Sequence, residues 1–281
     1  MAKDTLDQAP VRMVVSGSIV ERCEIDEVLS IVDSRLRSRS ARGLAVGSVN
    51  LDHLHHFRVA SAVPNGLVEW LLLADGMPIA WRGKLLTARP WPRVTGADLL
   101  PSVLALAEAN GHRVGFFGGS AQTHVLLAEH LRTRYPGLAV SGMWAPGSDD
   151  IESASEALCS AIRSARTDLL VVSLGKPRQE RWVDEHGHAT GARVFLPCGG
   201  AIDFLAGMTS RAPAWMQRWG LEWLHRLTRE PRRLARRYLL QGPIALLRAA
   251  RAQLICYPGV HYVGGHDHAE ITRPATEAMS A

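Results

Sequence analysis

Apolar residues in this chain gather into short runs separated by longer stretches of mixed polarity. GLAVGSVN (43–50), LVEWLLLAD (67–75), HRVGFFGG (112–119), LAVSGMWAP (138–146), DLLVVSLG (168–175) and ARVFLPCGG (192–200) read as strands, the second toward its end. The intervening segments have helical spacing. One covers Leu51 to Val59; another is SAQTHVLLAEHLRTRYP, where Val125, Leu126, Ala128 and Leu131 fit a helix. A run as nearly all apolar as Leu169 to Leu174 should be covered on both faces. With helices between most strands, the pattern predicts an α/β fold: a Rossmann-like, mostly parallel sheet with helices on both faces. Such sheets meet ligands at the carboxyl ends of their strands, so the turns that follow the runs are where chemistry is sought.

The rhythm breaks near Thr209. Beyond it, LEWLHRLTREPRRLARRYLLQGPIALLRAARAQL sets Leu221, Leu224, Leu227, Leu234, Leu239, Ile244 and Leu247 among arginines at mostly helical spacing. Arg211 to Arg251 holds ten Arg and two Glu, a local charge of +8 in a chain whose net charge is +5. The expected organisation is a Rossmann-like domain over 1–209, a basic amphipathic helical appendage over 210–256, and a tail over 257–281. That tail has no apolar period and is expected to lack fixed structure; His261, His266 and His268 receive no role. A composition of 47% hydrophobic and 21% charged residues supports a packed core. The first ten residues lack the apolar region of a signal peptide, and no apolar run reaches the roughly 18–20 residues of a spanning helix. A cytoplasmic location follows as the expectation. Cys23, Cys159, Cys198 and Cys256 are far apart, which predicts buried thiols and indicates neither zinc nor a disulfide framework.

Each turn offers a functional and a structural reading. Gly118, Gly119 and Ser120 would let backbone approach a ligand, with Ser120 capping a helix whose N–H groups favour a phosphate; a plain tight turn would look the same. Asp75-Gly76 offers a carboxylate at a strand end, where a general base could sit, although taken alone an ordinary Asp-Gly turn is favoured. Asp98 reads first as a helix N-terminal residue. His53, His55 and His56 lack the i, i+4 spacing of helical metal ligands and are expected to be solvated or hydrogen-bonded. In LGKPRQERW, Lys176 and Arg178 could neutralise a diphosphate and Gln179 could bond a sugar hydroxyl or base edge. Glu180 at the helix start needs no role beyond the dipole. Asp203, in GGAIDF, could accept from sugar hydroxyls or cap a tight turn.

Together, VTGADLL, GFFGGS, VVSLGKPRQERWV and GGAIDFLAGMTSRAPAWMQRWGLEWLHRLTREPRRLARRYL resemble the WecG/TagA/CpsF glycosyltransferase family in order and spacing, from about Gly43 to Tyr238. The resemblance implies metal-independent, inverting transfer from a UDP-sugar to a sugar carried on a polyprenyl diphosphate, in exopolysaccharide or surface-glycan assembly. The transfer would occur at the inner face of the cell membrane, without a cofactor. It makes Asp75 the base, reversing the local preference, and sets Gln179 near the donor sugar and Asp203 at the nucleotide pocket. Asn50 matches the family's TxN strand end, with Ser48 where threonine is usual; Thr95, Gly96 and Asp98 match TGxDL and support the acceptor or donor cleft. The basic positions Arg211, Arg226, Arg233, Arg236 and Arg237 are implied to meet a diphosphate or an anionic membrane surface, worth about 1 kcal/mol per nearby arginine. Exposed apolar surface on the appendage could equally face a second copy. Without a DxD strand end no metal is expected, though Asp149-Asp150 keeps that option open. The leading alternative is a basic nucleic-acid-binding or non-catalytic nucleotide-binding Rossmann protein. It is disfavoured because the arginines accompany a Trp-rich amphipathic stretch, and a dehydrogenase because GxGxxG is missing.

Overall fold

The computed structural model describes residues 11–38, 40, 42–57, 67–147, 150–229 and 231–255. The chain opens with β1 (Arg12–Val15), β2 (Ser18–Glu21), α1 (Ile25–Arg37), β3 (Gly43–Val49) and α2 (Leu51–His56). It continues with β4 (Val68–Ala74), α3 (Met77–Thr87), α4 (Gly96–Asn110), β5 (Arg113–Gly118), α5 (Ala121–Arg134), β6 (Ala139–Trp144) and α6 (Ile151–Ser164). Then come β7 (Leu169–Ser173), α7 (Arg178–Thr190), β8 (Val194–Pro197), α8 (Ala201–Leu205), α9 (Ala214–Arg218) and α10 (Glu222–Arg229). Last are α11 (Pro231–Ala235), a π-helical segment (Arg236–Gln241), α12 (Gly242–Ala250) and β9 (Gln253–Ile255).

All six expected strands are present, in one sheet of order β6-β5-β7-β8-β3-β4-β2-β1-β9. The strands from β6 to β2 run parallel; β1 is antiparallel to β2, and β9 to β1. Uniformly apolar strands follow from cover on both faces. Leu169 and Val171 pack in a core with α1, α4 and α5, whereas Leu170 and Val172 pack on the opposite face with residues of α6 and α7.

The structure adds or corrects several details. The β1–β2 hairpin turns at Ser16-Gly17, both at positive φ (50° and 85°), the mirror-image turn that matches strand twist. On α5 the buried residues are Thr123, His124, Leu127 and Leu131, while Val125, expected on the packed face, is 68% exposed. The two polar residues are buried because each is bonded: Thr123 Oγ1 donates to Asp203, and His124 Nε2 to the Gly118 carbonyl at 2.7 Å. The described residues beyond Thr209 are mostly helical, but their end joins the sheet as β9. Ala245 and Ala249 of α12 share a core with Leu54 and Ile79, and Arg248 donates to the Leu54 carbonyl at 2.7 Å. Leu239, Ile244 and Leu247 are instead exposed. The tail over 257–281, including its three histidines, and the fourth cysteine, Cys256, lie outside the described residues.

Register and connectivity position the site. Val49 pairs with Ala74, so the residues just beyond each strand end, Asn50 and Asp75, are neighbours. After β3 the chain turns into α2 and on to β4. After β8 it turns the other way, into α8 against α4 and α5. That reversal between adjacent strands β3 and β8 makes their carboxyl ends a switch point, the place where open α/β sheets bind ligands.

Candidate active site

Asn50 caps α2, its Oδ1 accepting from the His53 amide at 3.1 Å; the same side chain donates through Nδ2 to Asp75 Oδ2 at 2.8 Å. Ser48 Oγ donates to that oxygen at 3.2 Å. The Asp75 and Gly76 amides both reach the Val49 carbonyl, at 3.0 and 3.5 Å, which fixes the turn before α3. Asp75 is half-buried, with both side-chain bonds on Oδ2; Oδ1 has no hydrogen bond from the described residues. A carboxylate anchored by one oxygen and open at the other has the form of a proton acceptor.

The Val94 amide bonds the Ala74 carbonyl at 2.8 Å, bringing the N-terminus of α4 to the same edge. Thr95, not Asp98, is the cap: its Oγ1 accepts from the Asp98 amide at 3.1 Å and donates to Asp98 Oδ2 at 2.7 Å. Arg211 Nη1 lies 2.6 Å from Asp98 Oδ1. Burial pushes the Asp98 carboxyl up, but bonds from Arg211 and Thr95 and the charges of Arg211 and Arg93 outweigh it and hold the group below its ordinary value. Burial likewise lowers Arg211, yet the Asp98 bond and the charges of Asp98, Glu222 and Asp75 raise it on balance. Its Nε and Nη2 are buried with no hydrogen-bond partner among the described residues, two N–H donors side by side.

The glycine turns build the other wall. Gly118 and Gly119 have φ of 89° and 81°; a Cβ on Gly118 would lie 2.6 Å from the Ser173 carbonyl oxygen, and one on Gly119 2.6 Å from Ile202. Ser120 caps α5 as expected, accepting from the Thr123 amide at 3.0 Å. Thr123 Oγ1 lies 2.8 Å from Ser120 Oγ and donates to Asp203 Oδ1 at 3.0 Å, joining the turns after β5 and β8. Gly200 caps α8, so Asp203 is not the capping residue. Ser173 Oγ donates to the Gly199 carbonyl, linking the turns after β7 and β8.

In the turn after β7, Gln179 is 1% exposed. It donates through Nε2 to Glu180 Oε1 at 3.1 Å, while its buried Oε1 has no partner among the described residues and faces the Gly199 turn. Lys176, expected at a diphosphate, directs two of its three ammonium N–H groups into the protein: it donates to the Ser48 carbonyl at 2.6 Å and to Glu180 Oε1 at 2.8 Å. The cause is spacing, since residues four apart meet as α7 begins. Arg178 is the exposed first residue of α7.

Sequence reasoning missed three contributors. Glu180 is buried and paired; Thr123 bridges two turns; and Arg93, adjacent to VTGADLL, lies 3.5 Å from Glu222, which also pairs with Arg226 at 3.1 Å. The Arg226 guanidinium stacks 5.2 Å from the centre of the Phe204 ring, so α10 is held against the turn after β8. Arg236 is exposed in the π-helical segment; the side chains of Arg233 and Arg237 lie outside the description. Of the histidines, His53 Nε2 bonds Ser18 Oγ at 3.1 Å and His56 lies 3.6 Å from Asp52. Among the described residues no cluster of three or more His, Cys, Asp or Glu could hold a metal ion; Asp149 is outside them. No described helix is long and apolar enough to cross a membrane.

Comparison with known proteins adds a family. The model of the glycosyl transferase WecG/TagA/CpsF family matches residues 13–257. An N-acetylglucosaminyldiphosphoundecaprenol N-acetyl-beta-D-mannosaminyltransferase of Bacillus spizizenii is 28% identical over 194 residues, 69% of this chain and 72% of its own length. The protein of the same name in Bacillus subtilis is 28% identical over 59% of this chain and 63% of its own length. One in Staphylococcus aureus is 26% identical over 65% and 69%, respectively.

Proposed function

Because the chain belongs to the WecG/TagA/CpsF family of glycosyltransferases, we propose that it moves a hexose or N-acetylhexosamine from a UDP-sugar to a sugar carried on a polyprenyl diphosphate, with inversion. The donated sugar is of mannosamine type, its uronic acid, or glucose. The relatives' names support the lipid-linked acceptor and a mannosamine-type sugar.

The observation that carries the reading is Asp75. Its carboxylate is anchored through Oδ2 by Ser48 and Asn50 and open at Oδ1, beside the switch point between β3 and β8. In the proposed step an acceptor hydroxyl passes its proton to Asp75 Oδ1 while its oxygen attacks the anomeric carbon from the face opposite the diphosphate. The bond from that carbon to the phosphate oxygen breaks, and UDP leaves with the electron pair. Its charge falls to the amides of the first turn of α5, just after the Ser120 cap, and to the Nε–Nη2 edge of Arg211, which has no partner among the described residues and forms a planar fork suited to phosphate oxygens. Gln179 and Asp203 face the donor sugar and nucleotide in this reading. No metal is assigned a step.

Release of UDP from a panel of UDP-sugars, with and without a short-chain polyprenyl diphosphate-sugar and in EDTA, tests the class, the donor and metal independence together. Acceptor-dependent release with one donor is expected. Asp75→Asn should keep UDP-sugar affinity while kcat falls by about 10²–10⁴, the range for loss of a general base. Undiminished turnover would remove Asp75 from the chemistry.

A further inference from the structure

Lys176 is expected at the phosphates on charge alone, and Glu180 is expected to do nothing beyond greeting a helix dipole. Neither stands that way. Both side chains are nearly sealed from solvent, at 10% and 4% exposure, and Lys176 Nζ is shared between Glu180 Oε1 (2.8 Å) and the main-chain carbonyl of Ser48 (2.6 Å). Glu180 Oε1 also accepts from Gln179 Nε2 at 3.1 Å.

Ser48 pairs with Leu73 near the end of β3, two residues before Asn50. Its hydroxyl and the Asn50 amide supply both side-chain bonds to Asp75. The ammonium that holds the Ser48 carbonyl therefore holds the strand end from which both Asp75 partners project. Strands β3 and β7 are not neighbours, since β8 lies between them. The Lys176–Ser48 bond spans that gap and ties the donor-side turn, with Gln179, to the strand end that carries the base's partners.

We infer that Lys176 and Glu180 are positioning residues: a buried ion pair that pins the end of β3 and so fixes Asp75 relative to the donor, in place of a diphosphate ligand and a bystander. This rests on the reading of Asp75 as the base. A buried carboxylate fixes the ammonium, the ammonium fixes a backbone carbonyl, and both bonds need charge in a region of low dielectric.

Removing one partner alone would strand the other charge in the interior, so the test replaces both, as Lys176→Met with Glu180→Gln. UDP affinity is measured by calorimetry, and kcat with the donor and acceptor pair that wild type uses. The inference expects UDP affinity within about twofold and kcat down by about 10–100-fold, the scale of a misplaced reacting group. It further expects the double change to cost little more when added to Asn50→Ala, because both act on the same carboxylate.

Unchanged kcat overturns the inference, as does a tenfold or greater loss of UDP affinity, which returns Lys176 to the phosphates. So does a full multiplicative penalty in the Asn50→Ala background. Should the double variant not fold, Glu180→Asp keeps the charge while drawing the ammonium away from Ser48, and the same separation of kcat from UDP affinity applies. Asp75→Asn in parallel separates the two readings. An active Asp75→Asn removes the base, whereas an inactive one beside a fully active double variant removes only the pin.

Discussion

His53 is buried at the first turn of α2, where Ser18 bonds its Nε2, Phe57 stacks at 4.5 Å, and Lys176 and His56 add positive charge nearby. Burial first, and then those two charges, hold its pKa well below 6.5. The native ring therefore stays neutral while an unfolded chain takes up a proton as pH falls. The stability linked to His53 is complete above its unfolded pKa of 6.5 and declines below it. Between about pH 7.5 and about 5.5 wild type should lose more unfolding free energy than His53→Gln, by up to about 1.4 kcal/mol per pH unit below the unfolded pKa. Urea titrations at both pH values read the difference; equal losses would mean that His53 charges freely when folded. The sequence disfavoured metal at this histidine and offered solvent or a hydrogen bond, and the bond is what the fold supplies. Asp75 was harder to read. Its partners lie 27 and 25 residues back in the chain, so an isolated Ala-Asp-Gly reads as a turn until strand register places Ser48 and Asn50 against it.

Elements were legible in proportion to their length and apolar content. Strands β3, β5, β7 and β8 at the centre of the sheet announce themselves because burial on both faces leaves little room for polar residues, whereas β6, at the edge, is legible by its alternation and flanking turns alone. Strands β2, β1 and β9, which extend the sheet beyond β4, are only four, four and three residues long, and β1 takes its partner β9 from the far end of the chain, so local pattern carries little of that pairing. Glycines at the strand ends were recognisable as turn formers, but their packing was not. Gly118 touches the neighbouring strand so closely that a Cβ would sit 2.6 Å from the Ser173 carbonyl oxygen, at a φ of 89° that side chains avoid. Gly118→Ala should cost about 1–3 kcal/mol from backbone conformation alone, with the overlap added. A melting temperature lower by several degrees is expected, at about 2–4 °C per kcal/mol for a large domain. UDP binding should weaken with it, because the following amides and Ser120 are displaced. An unchanged melting temperature would show that β5 and β7 can move apart at no cost.

On the scale of the whole molecule, the basic segment is fastened to the site at one side and open on another. Arg211 pairs with Asp98, Glu222 with Arg93, and Arg226 lies on Phe204, while a Cβ on Gly220 would meet Met77 at 2.9 Å. These contacts hold α9 and α10 against α3, α4 and α8 at the sheet edge where Asp75 lies. The same segment exposes Trp215 (53%), Trp219 (73%), Leu239 (59%), Leu240 (67%) and Leu247 (67%) among its arginines. Large apolar side chains beside cations suit the headgroup region of an anionic bilayer, where tryptophan takes the interface and arginine the phosphates. A surface placed there would bring a lipid-linked acceptor to Asp75 without drawing its diphosphate far from the headgroups. Sedimentation with phosphatidylglycerol vesicles should therefore recover the protein at low salt and progressively less as salt rises, since arginine attraction is screened. Trp215→Glu with Trp219→Glu should abolish recovery and leave UDP affinity unchanged, because neither exposed ring is among the contacts that hold the segment at the site. Vesicle binding that survives both added salt and the double substitution would place the membrane contact elsewhere on the chain. Loss of binding with a change from one copy to several would instead give the tryptophans to a neighbouring subunit.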